Sequence, residues 1–177
     1  MPESQAISVK VAEAVKARII AGADSLTERD YTVRRSYLEW DLDLKGLENA
    51  ELSDSEKLLI DVVAHETDLT TELAARGSFK FVVPVDIAIR RKFGEGEVDK
   101  STGRIKLEEI DRYVLLVQEM AVMFSKYKLT NFEFTVWDNT SDGMRILANP
   151  LRDHLREMRQ FTGIVRVWLR ADVSFNG

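Results

Sequence analysis

The fold is decided by residues 79–93, which read FKFVVPVDIAIRRKF. Every odd position up to residue 89 is apolar, whereas the even positions are mixed. A period of two is typical of a β-strand that buries one face in a core and leaves the other partly wet. At roughly 3.3 Å per residue the strand reaches about 45 Å, well beyond an ordinary strand. We expect it either to bend, near Pro84, or to extend past its own domain toward a partner.

Composition predicts a soluble protein folded as a single domain over residues 1–177. The chain is 45% hydrophobic and 31% charged, which is ordinary for a globular domain, and its length allows a sizeable core. A formal net charge of -5 argues against sequence-specific nucleic-acid binding, because contact with phosphates needs a basic surface.

Several functional classes are excluded by what the sequence lacks. There is no cysteine, hence no disulfide, no thiolate metal site and no cysteine nucleophile. The N-terminal residues MPESQAISVK have neither a basic start nor a long apolar run, so they are not a secretory signal. No stretch approaches 18 consecutive apolar residues, so no membrane helix is expected. These features predict a cytoplasmic protein.

Two segments are predicted to be the main helices. Ile7–Ala21 has apolar residues at helical spacing, with Ser4 as a candidate cap and Gly22 as a stop. Residues 107–128 give the strongest helical signal, with acids at the start and lysines at the end. A second apolar set widens this helix beyond one face: Leu115, Leu116, Val122 and Met123. Such a helix is either central in a larger core or lies between subunits.

The remaining apolar segments are predicted to be strands. Residues 58–65, LLIDVVAH, also allow a helix, but their β-branched content and brevity favour a strand, paired with 79–93 as a long hairpin. The link over 66–78 and the stretch 94–104 are predicted to be polar loops. A short helix is expected from Pro150. Three further strands are predicted: residues 31–37, 131–137 and 163–173. The fold class is therefore α+β, a twisted, mostly antiparallel sheet with a long hairpin and two main helices packed on one face.

No catalytic, metal-binding or cofactor-binding residue is predicted. His65 and His154 match no ligand pattern, and His65, which ends an apolar strand, is expected to be structural. The glycines of 94–103 fit neither a phosphate-binding loop nor a dinucleotide fingerprint. The alternating acids of 39–43 are expected to keep a face solvated rather than to bind a cation, and the acidic cluster at 95–99 gives little indication of a metal site. We predict that the chain is not an enzyme.

The candidate functional residues are therefore surface residues that could contact a partner. They come from the end of the long strand, from the two polar loops and from two tryptophans, a residue type enriched at interface hot spots. They are Arg76, Arg90, Arg91, Lys92, Glu95, Glu97, Trp137 and Trp168. Charge reversal at residues 90–92 is expected to weaken assembly more than it weakens the fold.

Four runs together resemble a known family: YTVRRSYLEWDLDLKGL at 31–47, LLIDVVAH at 58–65, FVVPVDIAIRRKF at 81–93 and FTGIVRVWLR at 161–170. With the order of elements, they resemble the tail terminator, or tail completion, proteins of long-tailed bacteriophages. The resemblance covers residues 9–173 and rests on pattern and topology rather than on an invariant motif.

The resemblance implies a structural protein of the virion tail or neck, assembled in the host cytoplasm. Such subunits form a closed ring, usually a hexamer, at the head-proximal end of the tail tube, where they end tube polymerisation and join the tail to the head connector. Its implied partners are further copies of itself, the tail tube protein and a head-completion or connector protein, and DNA can pass through the ring. Two alternatives stay open: another component of the neck or head-tail connection, and a small-ligand-binding protein or enzyme.

Overall fold

The computed structural model of the chain describes residues 6–36, 58–65, 70–75, 78–125, 145–147, 155–156 and 159–174. Two helices and six strands make up its main elements. Their bounds, in chain order, are α1 Ile7–Ala21, β1 Tyr31–Ser36, β2 Leu58–Ala64, β3 Thr70–Ala75, β4 Ser78–Lys92, α2 Leu107–Ser125, β5 Arg145–Leu147 and β6 Gln160–Ser174.

Strand β4 is the centre of the sheet. It pairs antiparallel with β6 along its whole length, from Ser78 opposite Ser174 to Lys92 opposite Gln160. Its other edge is shared by β2 and β3, both antiparallel. The sheet order is β1-β2-β4-β6-β5, with β3 beside β4 off this path, and β1 pairs with β2 in parallel. The predicted α+β class and mostly antiparallel sheet are confirmed.

The long strand runs without a break through Pro84, and the interruption lies in its neighbours. The register changes between Ala64 opposite Val85 and Thr70 opposite Val82. At this break the His65 amide donates to the Pro84 carbonyl at 2.9 Å. The backbone carbonyl of Pro84 therefore points toward the β2 side. Proline has no N–H to donate on that side, and strands tolerate proline where the pairing is irregular.

The prediction of a polar loop over 66–78 is wrong in its central part. Residues Thr70–Ala75 form strand β3, because β4 extends past Val82 and offers backbone donors and acceptors that a second strand can pair with. The hairpin between 58–65 and the long strand is confirmed, but it carries this additional strand. Residues 66–69 and 76–77 lie outside the described residues.

Both helices pack on the same face of the sheet. Odd-numbered residues of β4, such as Val85 and Ile87, join one buried cluster with Val15 and Ile19 of α1 and with residues of α2. Alternation along the strands places the facing residues of β2 and β6 on this side as well. Burial of this apolar layer is the main stabilising contribution to the fold.

Two glycines let α2 approach its neighbours closely. A Cβ at Gly163 of β6 would lie 2.5 Å from Cγ2 of Val117, so α2 rests directly on the strand backbone. A Cβ at Gly22, which ends α1 as predicted, would lie 2.6 Å from the Met123 Cε. A larger side chain at Gly163 would push α2 away from the strand, whereas at Gly22 the flexible end of Met123 can move aside.

Several predicted boundaries need correction. The last strand begins at Gln160 rather than at residue 163, because Lys92 and Arg91 supply partners for the earlier residues. Strand β5 was not predicted, since three residues are too few to show a period. Helix α1 begins after Ala6 without a side-chain cap. The predicted cap Ser4 and the predicted strand at 131–137 lie outside the described residues, as does most of the helix predicted from Pro150.

Candidate interface and polar face of the sheet

The sheet face away from the helices carries charged side chains that the structure buries. Register places the even residues of β4 and β6 on this side, with the odd residues of β2. We call it the polar face. It is defined by Arg34, Asp61, His65, Asp86, Arg90, Thr162 and Arg166. Charged groups are costly to bury unless they are paired, so the stability of this face depends on its ion pairs.

Asp61 is the centre of the first cluster on the polar face. Its carboxylate is 1% exposed and accepts hydrogen bonds from the Nε of Arg34 on β1 and from a terminal nitrogen of Arg90 on β4. The cluster joins three adjacent strands through one carboxylate. Two guanidinium groups therefore share one buried carboxylate.

Asp86 is the centre of the second cluster. Arg166 of β6 grips it bidentately, with Nε 2.6 Å from Oδ1 and a terminal nitrogen 2.7 Å from Oδ2. The His65 Nε2 lies 2.8 Å from Oδ2. Burial alone would raise the pKa of Asp86, but the hydrogen bonds and charges of Arg166 and His65 outweigh it, and this pKa lies below its usual value. Asp86 is therefore an ionised acceptor shared by two neighbouring strands.

The second cluster has parts in common with a catalytic site, but its geometry favours a structural role. A histidine paired with a buried aspartate is the arrangement that activates a serine or cysteine nucleophile. Among the described residues, the recorded partners of the His65 ring are Asp86 and Arg166, the latter at 3.5 Å. Neither of them is a nucleophile. The contacts tie the end of β2 to β4 and β6, next to the break before β3.

The predicted interface residue Arg90 is in the interior. Its side chain belongs to the Asp61 cluster, and the residue is 3% exposed. Its neighbour Arg91 lies on the helix face, where its terminal nitrogen is 2.8 Å from Glu97 and its guanidinium lies 5.7 Å from the centre of the Tyr113 ring. Each arginine therefore has an acidic partner within the chain, Asp61 for Arg90 and Glu97 for Arg91, and their role as contact residues stays a prediction.

Glu97 anchors the segment between β4 and α2. One carboxylate oxygen takes the Arg91 bond and the other accepts from the Gly94 amide at 2.7 Å. The Lys106 ammonium donates to the Gly96 carbonyl at 2.9 Å, and Val98 bridges to Ile105. The predicted loop over 94–104 is therefore held by specific contacts.

Five of the predicted interface residues keep part of their surface, among them Arg91 and Glu97, which are half-buried. Lys92 and Glu95 are exposed, and Trp168 is half-buried on the polar face. Trp168 stands opposite Pro84 in the register, and Arg170 stands opposite Val82. Arg76 and Trp137 lie outside the described residues.

The second apolar set of helix α2 is divided between the core and the surface. Leu116 and Met123 are core residues, whereas Leu115 is 44% and Val122 is 61% exposed. Leu115 and Val122 are seven residues apart, so they lie on one side of the helix, two turns from each other. Leu107 on the first turn is 76% exposed. We call this surface the outer arc: Leu107, Glu108, Asp111, Leu115, Gln118, Glu119 and Val122.

Sequence reasoning missed both carboxylate clusters, although a signal existed. Asp61 and Asp86 each interrupt an apolar run inside a strand. A carboxylate in such a position must find a cation or a set of donors. The alternation even places both on the same sheet face once β2 and β4 are paired. Only the register, which the sequence did not give, identifies Arg34, Arg90 and Arg166 as partners.

Three further findings concern membrane helices, metal sites and similarity to known proteins. None of the helices in the described part of the chain is long and apolar enough to cross a membrane. Within those same residues, no group of three or more histidine, aspartate or glutamate side chains is placed to hold a metal ion. Neither a scan of known protein families nor a search of curated proteins found a match for this chain.

Proposed function

We propose that the chain is a structural subunit of a long-tailed bacteriophage, forming a ring at the head-proximal end of the tail tube. There it ends tube polymerisation and joins the tail to the head connector. The proposal starts from the resemblance of the four sequence runs to tail terminator proteins. The α+β fold with both helices on one sheet face is the architecture that the resemblance implies.

The observation that carries the proposal is the double-sided apolar character of α2. One side fills the core through Leu116, Val117 and Met120, and the other presents Leu115 and Val122 to solvent. An apolar surface on a regular helix is typical of a protein that buries it against a partner. A ring subunit has such contacts with both of its neighbours.

The charged residues of the sheet support a structural role more than a catalytic one. Asp61 and Asp86 are each held by two cationic or potentially cationic side chains, which fix strands rather than present a reactive atom. We therefore favour an assembly protein over a small-ligand-binding protein or an enzyme.

The mass of the purified chain tests the proposal. We expect light scattering or native mass spectrometry to find a closed oligomer, either of the chain alone or after mixing with the tail tube protein, and electron microscopy to show rings. A phage that lacks the protein should produce overlong tails without attached heads. A chain that stays monomeric even with its tube protein would rule the ring out. Rings together with tails of normal length in the mutant would favour another neck component.

A further inference from the structure

We draw no further inference here: the strongest candidate, the outer arc of α2 with its exposed Leu107, Leu115 and Val122, carries nothing further because nothing in the part of the chain that the structure describes shows what covers it.

Discussion

Arg90 and Arg91 are adjacent, carry the same side chain and yet do different things. Arg90 points to the polar face and completes the buried Asp61 cluster. Arg91 points to the helix side, where it holds Glu97 and covers Tyr113. Lys92, next in the chain, is exposed. The three residues of the run RRK therefore lie in three different environments and do not form one basic surface, because successive side chains of a strand point to opposite faces.

The two arginines also differ in the surroundings of the acidic partner that is left behind when either arginine is removed. Without Arg90, the buried carboxylate of Asp61 keeps one of its two guanidinium partners, Arg34. Without Arg91, Glu97 lies close enough to the surface to turn toward water. The cost of a lost ion pair depends on the solvation of the partner left behind more than on the pair itself.

The largest effect is expected from Arg90→Ala. Removing one partner of a buried ion pair costs about 3–5 kcal/mol of unfolding free energy, a large part of the total for a small domain. Urea unfolding followed by circular dichroism measures it, and Arg91→Ala is the control. If Arg90→Ala unfolds at the same urea concentration as Arg91→Ala, the Asp61 cluster contributes little. Should Arg90→Ala yield no folded protein, Asp61→Asn, which keeps the shape, provides the measurement.

Asp86→Asn is expected to have the next largest effect, with a characteristic pH dependence. The pKa of Asp86 is lowered in the folded chain, so its ionised form stabilises the fold above the unfolded pKa of about 3.9. This contribution is lost as pH falls through the lower, folded pKa. The difference in stability between the unmodified chain and Asp86→Asn should therefore be largest at neutral pH and shrink below about pH 4. A difference that stays constant from pH 7 to pH 3 would contradict the ionised pairing.

Arg91→Ala should cost about 1–2 kcal/mol, through the lost bond to Glu97 and the lost contact with Tyr113. Glu97→Gln keeps the bond from Gly94 possible and should cost less. Hydrogen exchange at residues 94–106 gives a local readout, since these amides should exchange faster in both variants while those of β4 do not. Unchanged exchange in that segment would mean that the Arg91 contacts do not hold it.

Lys92→Glu should change the free energy of unfolding by less than about 0.5 kcal/mol, because the residue is exposed. Thermal unfolding measures it. The expectation that charge reversal at residues 90–92 affects assembly more than folding stays a prediction, and Lys92 is the exposed residue of the three. A strong loss of stability would show that Lys92 has a structural contact.

Sequence reasoning predicted the elements in which the apolar pattern repeats several times. The 15 residues of α1, the helix from Leu107 and the alternation of β4 each contain enough turns or pleats to be distinctive. Strand β3 was missed because Thr70–Ala75 has little alternation and is a strand through its pairing with β4. The pairing of Arg90 with Asp61 was missed for a related reason: a single sequence shows charge but not which distant aspartate a residue meets.

The pairing of β4 with β6 has a consequence for the order of folding. Strand β4 is complete at Lys92, but its partner begins at Gln160, after α2 and β5. A growing chain on the ribosome therefore carries a long apolar strand with one edge unfilled until nearly all residues have been made. Contacts between distant parts of a chain form slowly, and unpaired edges can associate with other chains. The last strand thus sets the moment at which the chain can complete its fold.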